Sequence, residues 1–120
     1  MAFRKISARD KIFIEVKSKF ENVYLDFKEF ANMLTVKAGN SKKTSGKADS
    51  YARYFVRLII LYEENFSEEI DMIDNDESIE KLEKLRELGG FQKYNIEEGR
   101  FPNATLVCFR KYVTFKNHGR

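Results

Sequence analysis

Apolar residues recur every three or four positions along most of the chain, which is the spacing of one face of an α-helix. The clearest run predicts a long amphipathic helix over about 9–34, with no Gly or Pro inside it. Its expected buried face consists of Ile12, Val16, Phe20, Val23, Phe27, Phe30 and Leu34. A second run predicts a helix over about 47–65, capped by Ser45. Because 56–61 is apolar on nearly all sides apart from Arg57, we expect this second helix to be central.

The second half of the chain continues the helical pattern. A charged helix is predicted from Asp76 or Ser78 to about Leu88, where Gly89 and Gly90 end it. Residues 89–101 are predicted to be a loop, anchored by two aromatic side chains, Phe91 and Tyr94. The last helix is predicted over about 103–116, with a buried face of Leu106, Phe109, Tyr112 and Val113.

These patterns together predict an all-α fold. No segment alternates apolar and polar residues with the period of two that a half-buried strand requires. We expect a compact bundle of four to five helices, formed as one domain over 1–120. The ends, 1–8 and 117–120, are expected to be flexible.

Composition narrows the protein class. Of 120 residues, 42% are hydrophobic and 17 are Phe or Tyr, which excludes disorder for most of the chain. The single cysteine, Cys108, excludes a disulfide framework and a zinc site built from several cysteines. The sequence shows neither a signal peptide nor an apolar run of about 18 residues. We therefore expect a cytoplasmic protein without a membrane partner.

Charge is distributed in three blocks, although the net charge is only +3. Residues 1–62 carry +7, residues 63–87 carry −8, and residues 88–120 carry +4. This distribution predicts a positive face suited to a polyanion. The alternative is that the acidic helix is a solvated face whose charges merely balance the basic ones.

The sequence does not fit three catalytic or metal-binding motifs. The stretch from Gly39 to Lys47 has the wrong glycine spacing for a P-loop and has Ala48 where a hydroxyl should hold magnesium. A calcium loop starting at Asp74 would need glycine where Ile79 stands. Cys108 and His118 are poor candidates for a nucleophile and base, since the cysteine adjoins a buried helix face. We expect no enzyme activity, no metal site and no cofactor.

A basic loop and the helix after it remain as the candidate site. Lysines and short polar side chains crowd residues 37–47, and a loop leading into a helix N-terminus is a natural phosphate site. A C-terminal basic block is expected to extend this surface. The predicted DNA contacts are Asn40, Lys42, Lys43, Thr44, Lys47, Ser50, Arg53, Arg57, Arg110 and Lys111. A solvated lysine-rich loop with no ligand is the alternative.

Two stretches also resemble a known family. Residues 45–62, SGKADSYARYFVRLIILY, resemble the opening helix of the SAM-like core-binding domain of tyrosine recombinases, a type of domain also found fused to restriction-type nucleases. Residues 103–115, NATLVCFRKYVTF, resemble its late helix. Ser45, Tyr51 and Leu58 fit the pattern, whereas Ala48 stands where the family often has a Thr that touches the DNA backbone.

The resemblance implies a domain that clamps duplex DNA through phosphate contacts from Lys47, Arg53 and Arg57. The catalytic Arg, His and Tyr residues of the recombinases are absent, so it implies a binding module, with a fused nuclease or recombinase domain as a further expected partner. Our leading hypothesis is a double-stranded DNA-binding module of a bacterial or phage recombination or restriction system. The alternative is a small protein-interaction module or phage inhibitor that uses the acidic surface of residues 63–87, including Glu80, Glu83 and Glu87.

Overall fold

The computed structural model describes residues 3–37 and 46–118, which form six α-helices, one short 3-10 helix and no strand. This confirms the predicted all-α class, with more helices than the expected four to five. The helices are α1 (Lys11–Lys19), α2 (Glu21–Lys37), α3 (Gly46–Phe66), α4 (Asp76–Glu83), α5 (Phe91–Glu97) and α6 (Phe101–His118), with the 3-10 helix Lys84–Glu87 directly after α4.

The helix predicted over 9–34 is divided into α1 and α2 at Phe20. The backbone of Phe20 leaves the helical region, with φ −114° and ψ 30°, while its side chain stays buried. The break changes which residues of α1 face the core, because Phe13 is buried and the predicted Ile12 is 37% exposed. The prediction of one helix was therefore wrong, since no Gly or Pro marks the break and tertiary packing determines it.

Helix α3 is the centre of the bundle, as predicted. Helices α1, α2, α4 and α6 all pack against it. Its buried residues lie on several faces of the helix, with Phe55, Val56 and the five residues 58–62 all buried. Burial on several sides explains why the sequence of its second half is almost continuously apolar.

Aromatic rings join the three longest helices. Phe27 of α2 lies with its ring centroid 5.7 Å from that of Phe55 on α3, and 5.0 and 5.7 Å from those of Phe109 and Tyr112 on α6. Edge-on and tilted pairs at these distances add to the stabilisation from burial. This cluster fixes how α3 and α6 are placed relative to α2, and so positions the candidate site.

The chain between the acidic helix and α6 is more ordered than predicted. Helix α4 begins at Asp76, where Asn75 caps it by accepting a hydrogen bond from the Ser78 amide (2.8 Å). The predicted loop over 89–101 contains α5, so that prediction was wrong. Gly90, with φ 95°, turns the chain directly into α5, a conformation that favours glycine. The expected anchors Phe91 and Tyr94 are both buried.

The segment 3–8 packs against the bundle, which corrects the expectation of a flexible N-terminus for these residues. Phe3 is buried and stacks on Tyr94, with ring centroids 5.1 Å apart. Ile6 is also buried, and its carbonyl accepts a hydrogen bond from Arg57 Nε (2.8 Å). Two apolar anchors and a charged hydrogen bond hold this N-terminal strap, residues 3–8, in place.

The C-terminal end is also more ordered than expected. Helix α6 continues to His118, and the side-chain amide of Asn117 donates a hydrogen bond to the Asp74 carbonyl (3.1 Å). The prediction of a flexible tail was therefore wrong for residues 117 and 118. Residues 119 and 120 lie outside the described part of the chain.

The strap gives a prediction about stability. The substitution Phe3→Ala is expected to lower the free energy of unfolding by about 2 kcal/mol, below the roughly 3–5 kcal/mol of an interior phenylalanine, because a strap near a terminus can detach locally. Urea unfolding followed by circular dichroism measures the change. Lys5→Ala, on an exposed side chain of the same strap, is the control. Equal stabilities for Phe3→Ala and wild type would show that the strap does not contribute to the fold.

Candidate nucleic-acid interface

Part of the predicted site lies outside the described residues. Four predicted contacts, Asn40, Lys42, Lys43 and Thr44, and the expected cap Ser45 fall in 38–45. This segment joins the end of α2 at Lys37 to the start of α3 at Gly46. The six other predicted contacts are described, and the structure assigns them to four different environments.

Lys47 and Lys111 are brought together in one cleft. They are 64 positions apart in sequence, yet both line a cleft of about 440 Å³ between α2, α3 and α6. Both lysines are exposed, and Lys111 forms no salt bridge with any residue of 3–37 or 46–118. The other lining residues are Ala31, Leu34, Thr35, Tyr51, Ala104, Val107 and Cys108.

The start of α3 is electrostatically positive. Lys47 lies in the first turn of this 21-residue helix, where free amides and the helix dipole favour an anion. The acidic residue of that turn, Asp49, is held by Lys28 of α2, with the two charged atoms 2.6 Å apart. The hydrogen bond between them lowers the pKa of Asp49 and raises the pKa of Lys28. The pair therefore cancels the one negative charge of the first turn.

Ser50 and Arg53 do not line the cleft. The guanidinium of Arg53 donates a hydrogen bond to the Ser50 hydroxyl (3.3 Å). Arg53 lines a second depression, of about 380 Å³, together with Lys17 and Tyr24. Arg53 lies six positions after Lys47, which places the two side chains about 120° apart around the helix axis.

Arg57 has an intramolecular role that the sequence did not reveal. Besides its hydrogen bond to the Ile6 carbonyl, its guanidinium lies over the rings of Tyr54 and Phe13, at 4.7 and 5.8 Å from the centroids. These contacts fasten the N-terminal strap to α3. The predicted DNA contact of Arg57 stays a prediction.

Arg110 is paired with the acidic helix, and its predicted DNA contact stays a prediction. Two of its nitrogens donate hydrogen bonds to the carboxylate oxygens of Glu83 on α4, both at 2.6 Å. This paired geometry is the main reason that the pKa of Glu83 lies below its ordinary value. Lys111, one residue further, is turned about 100° around α6 and faces the cleft instead.

The acidic block 63–87 is largely paired within the molecule. Lys81 lies 3.2 Å from Glu68, and Lys19 lies 3.5 and 3.7 Å from Glu69 and Asp71. Lys116 lies 3.1 Å from Asp74. With Glu83 held by Arg110, the acidic surface has much less free charge than its sequence indicates.

Cys108 does not have the properties of a catalytic nucleophile. Burial raises the pKa of the Cys108 thiol to about 11, so at neutral pH it is a neutral, packed side chain and a poor nucleophile. Within 3–37 and 46–118, no three His, Cys, Asp or Glu side chains cluster as metal ligands would. None of the helices in these ranges combines the length and apolar character needed to cross a lipid bilayer.

Sequence reasoning missed the apolar part of the cleft and the role of Lys28. Leu34 was expected in the core and Val107 was not assigned to any site, yet both line the cleft. Their proximity depends on how α2 packs against α6, for which the sequence carries no local signal. The pairing of Lys28 with Asp49 joins two helices and is equally invisible in the sequence.

No family model matches this chain, and no curated protein or solved structure matches it either.

Proposed function

We propose that this protein is a DNA-binding module that holds duplex DNA through its phosphates. The contact surface is the start of α3 and the rim of the cleft, with Lys47 and Lys111 as the central contacts. Ser50 and Arg53 are proposed to contact DNA from a neighbouring side of α3. The predicted contacts of the basic segment, Asn40, Lys42, Lys43 and Thr44, extend this surface along the sequence.

The observation that carries the proposal is the meeting of Lys47 and Lys111 in one cleft. The two lysines come from the two separate basic blocks of the chain, and packing of α6 beside α3 brings them to the same opening. Two lysines beside a helix N-terminus provide charge and free amides for a phosphate. The basic segment 37–47 leads directly into this point.

Binding is proposed to be independent of the base sequence of the DNA. Among the side chains that line the cleft, the hydroxyl of Thr35 is already engaged, donating a hydrogen bond to the Ala31 carbonyl (3.0 Å). Lysine contacts to phosphates position a protein on DNA without reading bases. The resemblance to the core-binding domain of tyrosine recombinases supports the same role, the non-catalytic part of a bacterial or phage recombination or restriction system.

The salt dependence of binding tests this proposal. Fluorescence anisotropy with a labelled short duplex is expected to show affinity that falls between about 50 and 200 mM salt. Lys111→Ala is expected to weaken binding to every duplex sequence and to lower the slope of log affinity against log salt by about one unit, because one phosphate contact is lost.

Lys93→Ala serves as the control for that variant, because Lys93 is an exposed lysine of α5 outside the cleft. It is expected to keep the wild-type slope. An absence of binding at low salt, or a wild-type slope for Lys111→Ala, would overturn the proposal. If reversing Glu80 and Glu87 altered binding to a protein partner while DNA binding was absent, the interaction-module alternative would replace it.

A further inference from the structure

The cleft has an apolar interior that phosphate binding alone does not require. Apart from the two lysines and Thr35, its lining comes from three helices and is mainly carbon: Ala31 and Leu34 of α2, Tyr51 of α3, and Ala104, Val107 and Cys108 of α6. Val107 is 43% exposed although it is a large aliphatic residue. Among the described residues, an apolar surface lies beside two cations, which suits a ligand with both a flat or aliphatic body and an anionic group.

The polar groups of the cleft are arranged to match such a ligand. The Thr35 hydroxyl is bonded to the helix backbone, so it adds little polarity to the interior. The ring of Tyr51 is supported edge-on by Phe101, with centroids 5.8 Å apart and an interplanar angle of 70°. The aromatic ring is thus held in place, while positive charge is confined to Lys47 and Lys111.

We propose that this cleft receives one unpaired nucleotide of a bound DNA, with its base against the apolar lining and its phosphate at the two lysines. This inference rests on the proposed function, which supplies the DNA. A nucleotide combines an anionic phosphate with a base whose faces are apolar, and stacking or apolar contact with those faces is tolerant of sequence. The cleft volume of about 440 Å³ lies within the range of small-ligand pockets.

The proposal adds a preference for damaged, frayed or bulged DNA to general phosphate binding. The favourable binding free energy comes from contact between the protein and a base that has left the DNA duplex. The net gain is greatest where the base is already unpaired, because no base pairing or stacking must then be broken. Contact between one base and an aromatic surface raises affinity by roughly tenfold or more. A preference of about tenfold is therefore expected.

A comparison of two DNA probes tests the inference. Both are the same short duplex, and one carries a single extra, unpaired nucleotide at its centre. The wild-type protein is expected to bind the bulged duplex about tenfold more tightly. Ala104→Leu, which fills the apolar lining, is expected to remove this preference and leave affinity for the perfect duplex unchanged, since both lysines remain.

Two further variants complete the test. Thr114→Leu adds the same leucine at an exposed position of α6 outside the cleft, and it is expected to keep the preference. Val107→Ala is expected to reduce the preference, because it removes part of the apolar lining. Since it adds no bulk, it keeps the inference testable if Ala104→Leu does not fold.

The outcomes separate this inference from the proposed function. Equal affinity of the wild type for the two probes, or a preference unchanged in both Ala104→Leu and Val107→Ala, overturns the inference and leaves duplex binding standing. Failure to bind either probe at low salt overturns both.

Discussion

The double variant Lys47→Glu/Lys111→Glu is expected to bind duplex DNA about a hundredfold more weakly than the wild type at low salt, and to lose at least about two units of salt slope. The two substitutions remove both cations of the cleft and place carboxylates where phosphates are proposed to lie. Each lost phosphate contact also removes the release of about one counterion. Anisotropy titrations at several salt concentrations measure both quantities.

The matched control is Lys84→Glu/Lys93→Glu, which changes the net charge by the same amount. Both residues are exposed and neither lines the cleft. This control is expected to lose only a few-fold in affinity, through the weaker overall attraction of a less positive protein. Equal losses in the two double variants would show that net charge, and not the cleft, determines binding.

Raising the pH above about 11 is expected to unfold the protein, through tyrosines that the fold keeps protonated. Burial, and then a hydrogen bond donated to Glu68, raise the pKa of Tyr62 to about 12. Burial, and then a hydrogen bond donated to Asp26 (2.7 Å), raise the pKa of Tyr112. Burial likewise raises the pKa of Tyr94. In the unfolded chain the same hydroxyls have their ordinary pKa of 10.0.

The sign of the effect follows from which state holds the protons. Below pH 10 both states are protonated and stability is unaffected, whereas above it the unfolded chain loses protons that the folded chain retains. Each buried tyrosine then lowers the free energy of unfolding by about 1.4 kcal/mol per pH unit, so the three together lower it by about 4 kcal/mol per pH unit. A typical stability of about 5–15 kcal/mol is exhausted within one or a few pH units.

Far-UV circular dichroism and tyrosinate absorbance, recorded together during an alkaline titration, check this result. Both signals are expected to change in one cooperative step. Tyr112→Phe removes one titrating group, so its unfolding pH is expected to move upward even though losing the hydrogen bond lowers its stability at neutral pH by about 1 kcal/mol. Tyrosinate signals that complete near pH 10, while the helical signal persists, would contradict the burial of these hydroxyls.

The helices that could be predicted from sequence are the long ones. Helices α3 and α6 show apolar positions at helical spacing over several turns, and their predicted buried residues Phe55, Leu58 and Phe109 are all buried. The seven-residue α5 is too short for periodicity to stand out, and its glycine neighbours resembled a loop. The break at Phe20 has no local signal, because burying Phe13 and Phe20 together is a tertiary event.

The candidate site was predicted as a set of cations and was then divided by the fold. Arg110 and Lys111 are adjacent in sequence, yet one is paired with Glu83 and the other lines the cleft. Arg57 and Lys47 lie on the same helix, yet one fastens the N-terminal strap and the other lies at the helix start. All four are basic side chains on predicted helices, so the sequence alone could not show which of them form intramolecular contacts and which line the cleft.

The order of apolar and charged residues alone determined the helical class, the central helix and the two basic blocks, because helix formation and burial depend mainly on local periodicity. The tertiary structure decided which of these cations a carboxylate of the acidic helix holds, and that an apolar cleft opens between Lys47 and Lys111. Whether a cation is neutralised depends on which carboxylates the packed helices bring within a few ångströms of it. That distance is a property of the assembled bundle and of no single segment.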